Sequence, residues 1–168
     1  MSAVLAAAVS RAAALTDERA LAELRRDVDE EVEAAVRDAD FRVRALGYQA
    51  IGRLNFAQKK ELLRRGLEDE SPAARGAALL SLELMSRDHP GTANAVRPLL
   101  HTLANSDPNR SVRRLAVLCL KNGSPAQDTL TLLGHLAEDE EDAELRRAAA
   151  SVLQALKRKA STSGASRR

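Results

Sequence analysis

The sequence predicts an all-α fold of about four stacked helical hairpins. Three observations carry that prediction. Four segments of the chain resemble one another at a near-constant period, each has apolar residues at helical spacing, and turn-forming residues separate them. The 168 residues are one ordinary domain's worth of chain, and 45% hydrophobic with 30% charged residues describes a soluble globular protein. No apolar stretch approaches the ~18 residues that a membrane span needs.

The similar segments begin at Asp38 (DADFRVRALGYQAI), Asp69 (DESPAARGAALLSL), Asp107 (DPNRSVRRLAVLCL) and Glu140 (EEDAELRRAAASVL). Each contains an arginine anchor: Arg44, Arg75, Arg113 and Arg146, spaced 31, 38 and 33 residues apart. Six residues before each anchor stands an acid, namely Asp38, Asp69, Asp107 and Glu140. One residue before is apolar or small (Val43, Ala74, Val112, Leu145), three after is small (Gly47, Ala78, Ala116, Ala149), and seven after is aliphatic (Ile51, Leu82, Leu120, Leu153). Positions −1, +3, +7 and +10 fall on one stripe of a 3.6-residue helix, so each segment is amphipathic, and the small residue lets a neighbouring helix come close.

Taken in order, residues 2–15 are rich in Ala and Leu and predict a short N-terminal cap helix. The stretch lacks a positive leader and Arg11 interrupts it, so it does not read as a signal peptide, and a cytoplasmic location is expected. Thr16 is its expected boundary and the N-cap of the next helix, with Asp17 and Glu18 in that helix's first turn. Asp17–Arg37 spaces Leu21, Leu24, Val28, Val32 and Val36 as a helix, either one long one or two broken near Asp29. It pairs with Phe41–Leu54 as the first hairpin, and Ser2–Leu15 packs on its open end. Phe56–Leu67, Thr92–Ala104 and Pro125–Ala137 supply the first helices of the later hairpins; Asn55, Asp88-His89-Pro90-Gly91 and Asn122-Gly123-Ser124-Pro125 punctuate them. A hairpin of ~30–40 residues cannot bury its apolar face alone and must stack. Residues 1–159 form a single domain on this reading, and 160–168 a disordered basic tail.

The Asp-to-Arg spacing of six at Asp38/Arg44, Asp69/Arg75 and Asp107/Arg113, the pairs Val43-Arg44 and Val112-Arg113, and the small-residue column resemble the HEAT-repeat family, most closely the short HEAT-like repeats common in bacterial proteins. The resemblance runs from about Glu18 to Lys159. It implies a right-handed α-solenoid whose second helices line the concave face. The fourth unit departs from the pattern, with Glu140 for Asp and an acidic run for its turn, and reads as a terminal cap.

The net charge of +2 conceals segregation. Asp17–Asp40 carries ten acids against four arginines, and Phe41–Gly66 seven bases against Glu61 alone. Glu138–Glu144 holds six acids, and from Leu145 onward there are seven bases and no acid. Catalytic constellations are lacking. His89, His101 and His135 have no Cys partners and no metal-ligand spacing, although His101 and His135 fall on successive first helices and could be neighbours. Cys119, the single cysteine, occupies a core column, and no phosphate-loop, dinucleotide or nucleophile-elbow motif is present. The acidic run lacks the glycine and alternating ligands of a calcium loop. The expectation is a non-enzyme without metal, cofactor or small-molecule substrate.

The arginine column reads as fold maintenance, since a guanidinium fork satisfies the carboxylates and loop carbonyls within its reach. Function is then left to the exposed stripe of the second helices, at +1, +5, +8 and +12. It reads Ala45, Gln49, Gly52 in the first unit and Gly76, Leu80, Glu83, Arg87 in the second. In the third it reads Arg114, Leu118, Lys121 and in the fourth Arg147, Ser151, Gln154, Arg158. Apolar anchors among charges suit a protein partner, held at Leu80, Arg87, Arg114, Leu118, Lys121, Arg147 and Arg158. The expected role is a scaffold or adaptor for protein–protein interaction. The alternative is a nucleic-acid binder that reads the phosphate backbone without sequence preference. Against it stand 24 acids and only 2% aromatic residues (Phe41, Tyr48, Phe56) on which bases could stack.

Overall fold

In the computed structural model the described residues, 2–165, form eleven α-helices and one 3₁₀ turn, with no strand among them. They divide into two compact units, the first ending at Met85 and the second beginning at Ser86, close to the Asp88–Gly91 turn between the second and third repeats.

The first unit opens with α1 (Ser2–Ala14), which packs on α4 and α3 and buries Leu5, Ala8 and Ala12. Asp17, not Thr16, caps the next helix, because its carboxylate accepts from the N–H groups of Arg19 and Ala20. The Asp17–Arg37 stretch is two helices, α2 (Glu18–Asp27) and α3 (Asp29–Ala35), separated at Val28. Next come α4 (Phe41–Arg53), capped by Asp40, then a 3₁₀ turn (Ala57–Lys59), α5 (Lys60–Gly66) and α6 (Pro72–Ser86). Ile51, Leu54, Phe56, Leu63, Leu67 and Leu79 make the core of this unit, all fully buried. Gly52 is where α4 meets α6: a Cβ there would lie 2.7 Å from the Ser81 Cα. The Ser81 hydroxyl donates across the same contact to the Tyr48 carbonyl.

The second unit holds α7 (Pro90–Asn94), α8 (Arg97–Ser106), α9 (Arg110–Leu120), α10 (Gln127–Asp139) and α11 (Ala143–Ala165). Helix α9 packs on α8, α7 and α11, and α10 on α11 and α8, around Leu100, Val117, Leu133, Leu145 and Leu156.

The first helix of each of the first three repeats is broken at an equivalent point. Val28, Lys59 and Val96 lie 16 or 17 residues before their anchors and share one conformation (φ −117°, −103°, −116°; ψ 13°, 16°, 15°). At Val96 the cause is Pro98, which has no N–H to offer the Asn94 carbonyl four residues back. At Val28 the acids Asp29, Glu30 and Glu31 favour a fresh helix start. At Lys59 the side chain reaches back to the first repeat, as described below. The fourth repeat keeps α10 unbroken.

The predicted disordered tail requires correction over 160–165, where α11 continues as helix through Ala165. The Ser161 hydroxyl donates to the Lys157 carbonyl and the Thr162 hydroxyl to the Arg158 carbonyl, so side chains that favour turns bond along the helix instead. Residues 166–168 lie outside the described residues.

Candidate partner-binding face and the arginine ladder

The small column is inside. Gly47 is buried, and Ala78, Ala116 and Ala149 are fully buried. One turn earlier on each second helix the anchor arginines emerge beside the loops. Arg44 donates from Nη1 to the carbonyls of Asp38 and Ala39, at 2.9 and 3.0 Å. Its Nε and Nη2 grip both oxygens of Asp69, the acid of the next repeat, at 2.8 and 2.9 Å. Arg75 donates to the carbonyls of Asp69 and Glu70. Arg113 donates to the Ala104 carbonyl and to Glu140 Oε2, again an acid one repeat on. Arg146 donates to the Glu140 carbonyl at 2.7 Å.

The acid column therefore does something other than meet its own anchor. In each repeat its carboxylate accepts the backbone N–H two residues on: Asp38 from Asp40, Asp69 from Ser71, Asp107 from Asn109 and Glu140 from Asp142. That bond closes the turn before the second helix, and the other lone pairs of Asp69 and Glu140 face the preceding arginine. Burial by itself would raise the Asp69 carboxyl, but Arg44 and the Ser71 N–H outweigh it and hold the group below the usual carboxylate range. Burial likewise opposes, and Arg113 and the Asp142 N–H produce, the lowered value of Glu140.

A cross-repeat contact that spacing does not disclose lies nearby. Lys59, 5% exposed, sets its ammonium 3.1 Å from Asp29 and 2.8 Å from Glu33, and 5.5 Å from the Phe56 ring centre. It ties the 3₁₀ turn of the second repeat to α3 of the first.

Five of the seven predicted partner-binding residues come together on α9 and α11. Along α9 the stripe is Arg114, Leu118 and Lys121; Leu118 is 38% exposed. Along α11 it is Glu144, Arg147, Ser151, Gln154 and Arg158, all of them exposed. Two contacts lay the stripes side by side. Arg114 Nη1 pairs with Glu144 Oε2 at their N-terminal ends. At the other end the Lys159 ammonium donates to the Lys121 carbonyl at 2.5 Å, with the Gly123 carbonyl at 3.4 Å. The helices thus run in the same direction. A polar depression lined by Arg110, Ser111, Arg114, Asp142 and Glu144 closes the N-terminal end of the face.

The other two predicted residues are placed separately: Leu80 in the first unit on α6, 55% exposed, and Arg87 exposed just after α6 in the second unit. The first-unit stripe does not run as expected, because Gly52 is buried against Ser81. The sequence alone does not single out Glu144 and Lys159, since their role is to join repeats and no interval within one repeat encodes it.

The histidines are not brought together. His101 Nε2 shares a hydrogen bond with the Thr129 hydroxyl at 2.9 Å, while His135, further along α10, is exposed beside Asp139. Burial pushes the His101 imidazole below its usual value. Cys119 is a buried free thiol. Among the described residues no group of three His, Cys, Asp or Glu side chains could hold a metal ion, and no helix is long and apolar enough to cross a membrane.

Comparison with known proteins agrees with this geometry. A family model described as HEAT repeats matches twice, over residues 28–105 and 96–163, and so covers all four arginine anchors. Among curated proteins none matches.

Proposed function

The chain belongs to the HEAT-repeat family, and from that premise we propose that it is a non-catalytic scaffold or adaptor that captures a protein partner on the exposed face of its second helices. HEAT repeats typically serve as interaction scaffolds. The observation that carries the reading is Leu118: a large aliphatic side chain, 38% exposed, between Arg114 and Lys121 on a face fastened at both ends. Protein interfaces concentrate their affinity in a few central side chains that become fully desolvated on binding, and Leu118 with its flanking Arg114 offers such a centre. Leu80 adds an exposed anchor of the same kind in the first unit.

The test is partner capture from native extract with the wild type and Leu118→Ala. The expected result is a loss of on the order of tenfold in apparent affinity, as for a truncated interface anchor, with a small fall in melting temperature because the residue is only partly exposed. Equal capture by both proteins overturns the reading.

The acid-free basic run after Leu145 favours a second reading, phosphate-backbone binding by Arg147, Arg158 and the basic tail together with Arg114 and Lys121 of α9. It requires duplex binding that falls steeply with salt; binding that stays flat between low and moderate salt removes it.

A further inference from the structure

From the adjoining stripes of α9 and α11 we infer the chemistry of that partner: a short extended segment with carboxylates toward its two ends and an aliphatic residue between them. This rests on the scaffold reading above. The first observation is a local surplus of positive charge on a stretch of helix that carries no acid of its own. Arg25, Arg44, Lys59, Arg64, Arg113 and Arg114 all hold carboxylates. Beyond Glu144 the sequence contains no acid, and Lys121, Arg147, Lys157 and Arg158 have no carboxylate among the described contacts.

Helix-end electrostatics do not balance these cations. Basic residues at a helix C-terminus offset a macrodipole equivalent to roughly half a charge. Only α9 ends here; α11 continues to Ala165, so Lys157, Arg158 and Lys159 lie inside it and not at its end. The α9 dipole and two loop carbonyls engage Lys159 and leave Lys121 and Arg158 in surplus. Burial and the neighbouring Lys121 lower the pKa of Lys159, as expected where like charges are held together.

The second observation is the spacing. Arg147 and Arg158 are eleven residues apart on one stripe, about 16 Å along a helix. An extended peptide rising ~3.3 Å per residue covers that in about five residues. Leu118 stands on the adjoining helix between the basic ends, and the middle of the α11 stripe is the uncharged pair Ser151 and Gln154. The site is strongly cationic at the Lys121 and Arg158 end, weakly so at the other, where Arg114 and Arg147 stand beside Glu144, and partly apolar at its centre. It matches an acidic peptide with one aliphatic residue. A phosphodiester backbone presents charge throughout and nothing to cover Leu118.

The experiment measures fluorescence anisotropy of the full chain with three labelled probes: a Glu-Glu-Leu-Leu-Glu-Glu peptide, its Lys-for-Glu counterpart, and a short DNA duplex. Binding of the acidic peptide is expected, weakening several-fold as salt rises from about 50 to about 300 mM. Charge reversal at Lys121→Glu with Arg158→Glu is expected to weaken it at least about tenfold, and Leu118→Ala to weaken it with the salt dependence retained. Arg158→Gln, a milder change, should show an intermediate loss, and circular dichroism checks the helical fold of each variant. Failure of the acidic peptide to bind, equal binding of the basic peptide, or tighter binding of the duplex at the same salt overturns the inference. So does native partner capture that survives charge reversal yet is lost in Leu118→Ala, although the scaffold reading then stands. Capture indifferent to both changes removes the two together.

Discussion

Arg44 serves two kinds of acceptor at once, the carbonyls of its own loop and the carboxylate of the next, and its loss is felt at both. With Arg44 and Asp69 side chains only 11% and 5% exposed, Arg44→Ala leaves a buried carboxylate without its cation and is expected to cost about 3 kcal/mol in denaturant unfolding. Arg113→Ala should behave similarly, because Glu140 is 12% exposed, and should lower stability before it alters binding. Arg146→Ala removes one described bond to a carbonyl, for which about 1 kcal/mol is the expectation. The carboxylates also set a pH dependence. Asp69 and Glu140 are lowered in the folded chain, so their contribution is complete above the unfolded values (3.8 for Asp, 4.5 for Glu) and is lost as pH falls through the lower folded ones. Thermal melts should therefore show the stability gap between wild type and Asp69→Asn closing as pH drops from about 5 to about 3. A constant gap would dissociate the pair from acid unfolding. At this scale the sequence discloses which residues matter but not whom they touch. The interval of six is real, yet it records an arginine reaching its own loop carbonyl, while the carboxylate that Arg44 grips is 25 residues away.

Helix contacts make opposite demands on glycines. Gly52 sits where two helix backbones nearly touch, so Gly52→Ala must push α4 from α6 and is expected to cost about 2–3 kcal/mol. Gly134 lies mid-helix in α10, and a Cβ added there would meet nothing within 4 Å. Gly134→Ala should therefore stabilise by about 0.5–1 kcal/mol, read from the same unfolding curves. The two values having the same sign would contradict the packing described. The second helices are legible in the sequence because their apolar period and caps coincide. The breaks in the first helices are less so. Leu24, Val28 and Val32 keep the stripe in phase across the bend at Val28, and all three are buried, so periodicity alone cannot reveal it. Pro98 marks the corresponding break directly, two residues after Val96.

For the whole molecule, contacts cluster in two units, and a local insult should stay local. Hydrogen exchange on Gly52→Ala is expected to lose protection in α4 and α6 well before α9 and α11 respond; uniform loss would mean that the chain opens as one block. The exposed face of α9 and α11 is partly legible: the stripe positions follow from the repeat register, whereas Lys159 and Glu144 become visible only once neighbouring repeats are placed together. The way the forks of Arg44 and Arg113 each span two repeats has a wider corollary. The seam inside each unit is keyed, with the fork on one side and its socket on the other. A module lifted out alone carries an unfilled socket at its head or an idle fork at its tail. Lengthening or shortening the array would thus be tolerated when whole fork-to-socket intervals are exchanged, and resisted when a graft divides one.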